Sequence, residues 1–289
     1  MRARSNGIEL EYDSFGSASD PTIVLVMGFS LQMIEWDERF CRALVARGFR
    51  VVRFDNRDVG LSSKIDDGPT PNIGALMAGD SSSAAYALDD MADDTLGLLD
   101  ALDVRAAHLV GMSMGGMIAQ LVAIRAPERV RSLCSIMSTT GDRSVGGATP
   151  KALGVLLTPA PMDREANIAR SVDVWRILAS PSHPIDEAET RARAATAFDR
   201  AFHPAGAGRQ LAAILSAPDR TAALAKVSVP TVVVHGVDDP LIAADGGEAT
   251  ARAIPGAELV LVQGMGHELP ARVWPRVIEA IVANAARAG

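Results

Sequence analysis

Apolar residues in the first part of the chain alternate between strand spacing and helix spacing. Residues 8–12 alternate like a strand with one exposed face, and residues 22–26 and 51–54 are largely apolar runs typical of strands buried on both faces. Between these two runs, apolar side chains recur at helical spacing, namely Trp36, Phe40, Leu44 and Val45. The pattern predicts a strand, a helix and a second strand, which together form the repeating unit of a parallel sheet.

The same alternation continues to about residue 140. Helix spacing predicts helices over residues 91–102 and 117–126, and apolar runs predict strands over residues 107–110 and 133–137. Helices that alternate with buried strands favour the α/β fold class, with a mostly parallel central sheet and helices on both faces. Ligands bind such sheets at the carboxyl ends of the strands, so we expect the functional site at that edge.

Beyond residue 140 the pattern is helical for a long stretch. Two of the predicted helices begin after Asp163 and Asp186, both of which are suitable N-cap residues. Strand-like runs return at residues 231–234 and 259–262, and a last helix begins near residue 272.

The length of 289 residues suits two domains, or one α/β domain with an insertion. The change of pattern favours a core made of residues 1–140 and 227–289, interrupted by a helical cap, or lid, of residues 141–226. Candidate catalytic residues lie on both sides of the interruption, so neither flank is expected to form the functional unit alone.

A candidate nucleophile lies between a predicted strand and a predicted helix. Residues 111–115 read GMSMG and match the G-x-S-x-G pattern, with Ser113 at its centre. The outer glycines permit a turn that is too sharp for side chains, and the turn exposes the serine hydroxyl. The positive end of the following helix would stabilise an oxyanion. A glycine-rich turn with a purely structural role is the alternative interpretation.

A serine hydroxyl needs a base to take its proton and an acid to orient that base. His267 follows the last predicted strand in a glycine-rich loop, from which its side chain can turn toward the carboxyl edge of the sheet. The acid is expected after the preceding strand, where Asp238 and Asp239 are both available. Pro240 pushes the residue before it into an extended conformation, which favours Asp239 but leaves Asp238 open.

The other histidines suit other roles. His108 and His235 fall in or beside predicted strands, where a buried histidine with a satisfied ring is the simpler interpretation. His183 and His203 fall in the helical insertion, and we expect them on its surface.

An oxyanion hole needs two converging donors. The backbone amide of Met114, next to the candidate nucleophile, is one, and the backbone amide of Phe29, in the loop after an early strand, is the expected second. Gly28 would allow the backbone of that loop to approach closely. A tight turn without a function is the alternative for the Phe29 loop.

Other charged residues are interpreted as structural. Residues 55–60 read DNRDVG and are expected to form a turn with internal ion pairs. Four aspartates occupy the start of a predicted helix, namely Asp89, Asp90, Asp93 and Asp94. Carboxylates are favourable there because of the helix dipole, so we expect solvated capping rather than a metal site. We expect neither a metal nor a cofactor.

Charge and composition limit the classes of molecule that the protein is expected to bind. The 28 basic residues against 35 acidic residues give a net charge of −7, which opposes binding to nucleic acid or anionic lipid. Two cysteines are too few for a disulfide framework or a zinc site. Apolar runs fall short of the roughly 18 residues of a membrane span, and the first residues lack a signal-peptide pattern. We therefore expect a cytoplasmic protein, and a homo-oligomer is compatible with the sequence.

Six segments spread over nearly the whole chain carry a family resemblance: residues 25–28, 53–62, 111–116, 174–178, 239–242 and 264–267. Together they resemble the α/β-hydrolase-fold serine esterases, and in particular the aclacinomycin methylesterase branch. The resemblance implies a catalytic triad of Ser113, Asp239 and His267, which decides between the two aspartates. Many relatives have His-Gly where this chain has Met27 and Gly28, so a side-chain donor is missing there while the backbone donor at Phe29 is retained.

These observations predict a carboxylic ester hydrolase that acts on small to medium esters through an acyl-enzyme intermediate. A lactonase, a C–C bond hydrolase or an acyltransferase would use the same triad and stays an alternative. A small-molecule receptor without catalysis is an alternative from a different class. The identity of the ester is left open, because residues that line a pocket diverge freely on a shared scaffold.

Overall fold

A single β-sheet runs through the protein. Within residues 1–288, which the computed structural model describes, eight strands form this sheet: Arg2–Ser5 (β1), Ile8–Phe15 (β2), Thr22–Val26 (β3), Arg50–Phe54 (β4), Ala107–Met112 (β5), Val130–Ile136 (β6), Thr231–Gly236 (β7) and Glu258–Val262 (β8). Their order is β1-β2-β4-β3-β5-β6-β7-β8. The pairs β1–β2 and β2–β4 are antiparallel and the other neighbours are parallel. The mostly parallel sheet confirms the predicted α/β fold class.

Helices cover both faces of the sheet. The α-helices are Glu38–Val45 (α1), Ile73–Met77 (α2), Leu88–Ala101 (α3), Met114–Arg125 (α4), Pro150–Leu157 (α5), Arg164–Leu178 (α6), Glu187–Arg200 (α7), Pro204–Ser216 (α8), Thr221–Leu224 (α9), Ala244–Ala253 (α10) and Trp274–Ala286 (α11). One core contains buried side chains of α1 and α11, and a second core contains those of α3 and α4. In residues 1–288, no helix has the length and apolarity that crossing a membrane requires.

Strand β3 shows why an uninterrupted apolar run indicates a buried strand. All five of its residues are buried. Ile23 and Leu25 belong to the core that includes α1 and α11, whereas Val24 and Val26 belong to the core that includes α3 and α4. Successive side chains of a strand point to opposite faces, so a strand covered on both faces needs apolar residues at every position.

Helices α5 to α9, called here the α5–α9 segment, lie between β6 and β7 in the chain. Two of these helices begin where the sequence predicts. The carboxylate of Asp163 accepts a hydrogen bond from the amide of Ala166 at 2.9 Å, and that of Asp186 accepts one from Glu189 at 3.0 Å. Each aspartate thereby satisfies an amide at a helix start that has no partner within the helix.

The loop after β4 corrects the prediction of internal ion pairs in residues 55–60. Each of its charged side chains pairs with a distant element instead: Asp55 with Arg200 of α7 at 2.7 Å, Arg57 with Asp94 of α3 at 2.6 Å, and Asp58 with Arg209 of α8 at 2.8 Å. The loop therefore connects the sheet to α3 on one side and to the α5–α9 segment on the other.

Asp94 corrects a second prediction, because it is buried rather than solvated. Its carboxylate accepts two hydrogen bonds from the Arg57 guanidinium, both at 2.6 Å, and a third from the side chain of Asn6 at 3.1 Å. Asp90, four residues earlier, does cap the helix, since its carboxylate accepts the amide of Ala87 at 2.8 Å. One helix turn therefore holds one capping carboxylate and one buried ion pair.

We predict that Asp94→Ala lowers the free energy of unfolding by about 3 to 5 kcal/mol, because it leaves the Arg57 guanidinium buried without its carboxylate. Asp93→Ala is the matched control on the same helix. It removes one partner of Arg125, an exposed ion pair with a 2.7 Å contact, leaves the contacts of Arg125 with Asp89, and should cost less than about 1 kcal/mol. Urea denaturation of both variants measures the difference, and equal losses would contradict this account of the buried pair.

Candidate active site

Ser113 lies on a sharp turn between the end of β5 and the start of α4. Its backbone has φ 56° and ψ −122°, a conformation that costs a non-glycine residue energy. Two glycines make the turn possible. A Cβ atom at Gly111 would lie 2.1 Å from the carbonyl oxygen of Gly115, and one at Gly115 would lie 2.1 Å from that of Val26. The turn therefore has the geometry expected of the G-x-S-x-G pattern.

The structure brings Ser113, His267 and Asp239 into one chain of hydrogen bonds. His267 Nε2 lies 3.0 Å from Ser113 Oγ, and His267 Nδ1 lies 2.8 Å from Asp239 Oδ2. Since an ionised carboxylate can only accept, Nδ1 carries the proton and Nε2 has a lone pair for the serine hydroxyl. The three residues follow β5, β8 and β7, so they meet at the carboxyl edge of the sheet as predicted.

Asp239 is held by further donors. Its Oδ1 accepts the amides of Leu241 and Ile242, each at 2.9 Å, and His235 Nε2 lies 3.5 Å from its Oδ2. Burial alone would raise the pKa of Asp239, but His267 and His235 outweigh burial and hold that pKa below its usual range. Asp239 is therefore a carboxylate at neutral pH.

Asp238, the alternative acid, points elsewhere. Its Oδ2 accepts a hydrogen bond from the hydroxyl of Ser180 at 2.7 Å. Ser180 follows α6, so Asp238 connects the end of β7 to the α5–α9 segment. The histidine is contacted by Asp239, as the sequence favours.

Main-chain contacts fix the loop that carries His267. The amide of His267 donates to the carbonyl oxygen of Leu178, the last residue of α6, at 2.7 Å. A Cβ atom at Gly266 would lie 2.5 Å from the same oxygen, and one at Gly236 would lie 2.2 Å from the carbonyl oxygen of Met265. The glycines let the loop pack against α6 and β7 at backbone distance, which orients His267.

The candidate oxyanion donors lie on two sides of Ser113. Met114 is buried at the start of α4, and half-buried Phe29 follows Gly28 in the loop after β3. A Cβ atom at Gly28 would lie 3.2 Å from the Cβ atom of Ser113, so this loop passes directly beside the candidate nucleophile. The roles of the two amides as donors stay predictions.

Two histidines of the strands are core residues, as expected. His108 is buried and its Nδ1 lies 2.8 Å from Ser132 Oγ, and burial lowers its pKa to about 4. His235 is also buried, and its Nε2 lies 2.8 Å from the carbonyl oxygen of Ile242. Its Nδ1 is buried without a hydrogen-bond partner in the described residues, so the expectation of a fully satisfied ring is wrong for His235. Unlike His108, His235 also lies close to Asp239, a proximity that its place within an apolar run did not reveal.

The two histidines of the insertion differ. His183 is exposed, as predicted, but His203 is half-buried and its Nε2 lies 2.9 Å from Arg209. Arg209 and the next residue, Gln210, are two further residues of the site region that sequence reasoning missed. Both are buried on α8, and nothing in their local sequence indicates which loops they contact. In the described residues, no group of three or more His, Cys, Asp or Glu side chains is arranged to hold a metal ion.

Comparison with known proteins gives matches over nearly the whole chain. A family model for the alpha/beta hydrolase fold matches residues 21–270. The chain is 31% identical over 299 residues to the rhodomycin D methylesterase DnrP of Streptomyces peucetius, covering 96% of this chain and 95% of that protein. It is also 31% identical over 300 residues to the rhodomycin D methylesterase DauP of Streptomyces sp. (strain C5), with the same coverage.

Solved structures agree in fold. A meta-cleavage product hydrolase from Pseudomonas fluorescens IP01 matches with a TM-score of 0.78 and 18% identity, covering 100% of this chain and 98% of that one. The enol-lactonase from Burkholderia xenovorans LB400 matches with a TM-score of 0.77 and 22% identity, covering 99% and 100%. At these identities the likeness concerns the fold. With the family match and the two methylesterase relatives, these findings confirm the resemblance seen in the sequence, and the chain belongs to the alpha/beta hydrolase fold family.

Proposed function

We propose that this protein is a carboxylic ester hydrolase that cleaves small to medium esters through an acyl-enzyme on Ser113. The observation that carries the proposal is the pair of contacts from His267, 3.0 Å to Ser113 Oγ and 2.8 Å to Asp239 Oδ2. The two rhodomycin D methylesterases, similar along nearly their whole length, support ester hydrolysis as the reaction type.

In the first half of the reaction, Ser113 Oγ attacks the ester carbonyl carbon while His267 Nε2 takes the hydroxyl proton. The carbonyl oxygen becomes an oxyanion, which the amides of Phe29 and Met114 stabilise in this proposal. The ionised Asp239 stabilises the imidazolium. His267 then gives its proton to the ester oxygen, the bond from carbon to that oxygen breaks, and the alcohol leaves.

In the second half, water attacks the acyl-enzyme. His267 removes a proton from the water, and the hydroxide oxygen adds to the acyl carbon to form a second oxyanion. When this intermediate collapses, Ser113 Oγ takes the proton back from His267 and the carboxylic acid is released. An alcohol in place of water would give acyl transfer with the same residues.

We further infer that residues 141–226 form a cap over a core of residues 1–140 and 227–288, residue 289 of the predicted core lying outside the described residues. Support comes from contacts of the α5–α9 segment beside the site. Leu178, at the end of α6, accepts the amide of His267, and Gln210 of α8 accepts the amide of Ser30 at 2.8 Å. A cap in this position would line the approach to Ser113 and help to determine which esters enter.

The alternatives predicted from the sequence have less support. A lactonase, a C–C bond hydrolase or an acyltransferase would use the same three side chains, and the similar structures of such enzymes concern the fold only. A receptor without catalysis does not need the chain of hydrogen bonds through Ser113, His267 and Asp239. The ester substrate, the cytoplasmic location and a homo-oligomeric state stay predictions.

We predict that Ser113→Ala lowers the hydrolysis of p-nitrophenyl acetate by at least about 1000-fold, because no other group can form the acyl-enzyme. Ser138→Ala is the matched control. The hydroxyl of Ser138 is buried and has no hydrogen-bond partner within the described chain, so its removal should leave turnover within about twofold. Labelling with a fluorophosphonate probe should be lost in the first variant and kept in the second. Wild-type turnover by Ser113→Ala would refute the mechanism.

Replacing each of the two neighbouring aspartates singly by asparagine separates a catalytic role from a packing role. Asp239→Asn should lower kcat/KM by about 10³ to 10⁴, because an amide no longer holds the required tautomer of His267 or stabilises the imidazolium. Asp238→Asn keeps a partner for the hydroxyl of Ser180 and should change kcat/KM by less than about fivefold. Steady-state kinetics at pH 8 measure both variants. A larger loss for Asp238→Asn than for Asp239→Asn would reverse the assignment.

A further inference from the structure

Gln210 of α8 bridges two loops at the carboxyl edge of the sheet. Its side chain is fully buried. Its Oε1 accepts the backbone amide of Ser30, in the loop after β3, at 2.8 Å, and its Nε2 donates to the carbonyl oxygen of Arg57, in the loop after β4, at 2.8 Å. Both polar atoms of the amide are therefore used on backbone groups beside the site.

The position of Gln210 is itself fixed by its neighbours on α8. Arg209 donates to both carboxylate oxygens of Asp58, each at 2.8 Å. A Cβ atom at Gly206, one turn earlier, would lie 2.2 Å from the carbonyl oxygen of Asp58, so the helix and the loop are in backbone contact. Arg57, whose carbonyl oxygen Gln210 contacts, is held by its buried pair with Asp94.

Ser30 needs such support. Its φ of 59° lies in the left-handed region, which is unfavourable for a residue with a side chain. The amide that Gln210 accepts belongs to the peptide between Phe29 and Ser30. Fixing that peptide limits the ψ angle of Phe29 and, with it, the orientation of the preceding peptide between Gly28 and Phe29. That preceding peptide carries the amide of Phe29, and Gly28 provides no side chain to hold it in place.

We propose that Gln210 is a positioning residue for ester hydrolysis, which aims the Phe29 amide at the oxyanion by holding the next peptide through Ser30. This role rests on the proposed function and on Phe29 as an oxyanion donor. Gln210 touches no reacting atom and acts through the backbone. The α5–α9 segment thereby contributes to transition-state stabilisation as well as to any enclosure of the site.

The test compares Gln210→Met with the wild-type enzyme on p-nitrophenyl acetate. Methionine has a similar length and fills a similar volume, but it offers no strong acceptor for the amide of Ser30. We expect kcat to fall about 10- to 100-fold with KM changed less than threefold, because the Phe29 amide acts on the oxyanion and not on the bound ester. Affinity for a boronic acid inhibitor, whose adduct with Ser113 mimics the tetrahedral intermediate, should fall by a similar factor.

Two further variants separate positioning of the Phe29 amide from a general destabilisation of the loop after β3. Gln32→Met removes part-buried hydrogen bonds from the same loop to the carbonyl oxygens of Ala197 and Ala201, and the bond that Gln32 accepts from Arg200, but leaves the bond to Ser30 intact. Its kcat should stay within about twofold even where its thermal unfolding temperature falls. Gln210→Glu keeps an acceptor for Ser30, and its carboxyl, which burial favours in the protonated form, can still donate to the carbonyl oxygen of Arg57. At pH 6 it should retain kcat within about fivefold of the wild-type value at the same pH, so it provides the test if Gln210→Met does not fold.

The outcomes identify which proposal fails. Turnover that persists in Ser113→Ala would refute the proposed function itself. With turnover dependent on Ser113, an unchanged kcat in Gln210→Met would refute the positioning role alone. An equal loss in Gln32→Met, or a loss of about 100-fold in Gln210→Glu at pH 6, would also overturn it, because neither change removes the acceptor of the Ser30 amide.

Discussion

Backbone-to-backbone approach around the Ser113 turn is the constraint on which the site depends. Gly115 packs against the carbonyl oxygens of Val26 and Met27 at distances that no side chain tolerates, and Gly111 packs against Gly115 itself. These contacts draw the start of α4 toward the end of β3. The candidate nucleophile Ser113, the helix that starts beside it and the loop of Phe29 are therefore assembled by the same close packing.

The rest of the site is arranged by where strands end. Parallel strands present their carboxyl ends at one edge, so residues that directly follow β5, β7 and β8 become neighbours although they are far apart in the chain. That rule is why Ser113, His267 and the neighbouring pair Asp238 and Asp239 could be named from the sequence, and the family resemblance then decided for Asp239. The pattern of apolar residues also predicted the order of most helices and strands, because a strand buried on both faces has an unbroken run of apolar residues in the sequence.

Other features could not be predicted because their partners are distant in sequence. Asp94 looked like a helix-capping carboxylate, and only the folded chain shows the guanidinium of Arg57 against it. Residues 55–60 were expected to form ion pairs with one another for the same reason. Strand β1 was missed because RARS has no apolar run, although Ala3 and Ser5 are buried. Gln210 gives no signal at all, since a single glutamine in an alanine-rich helix does not indicate which loops it reaches.

The bond between the amide of His267 and the carbonyl oxygen of Leu178 has a consequence for how substrate reaches the serine. Because that bond joins the loop of His267 to the last residue of α6, a motion that lifted this end of the helix away from the sheet would remove the acceptor of the His267 amide. An approach to Ser113 that required such a displacement would therefore disturb the orientation of His267 as well. The contact that orients the histidine also restrains the end of the helix.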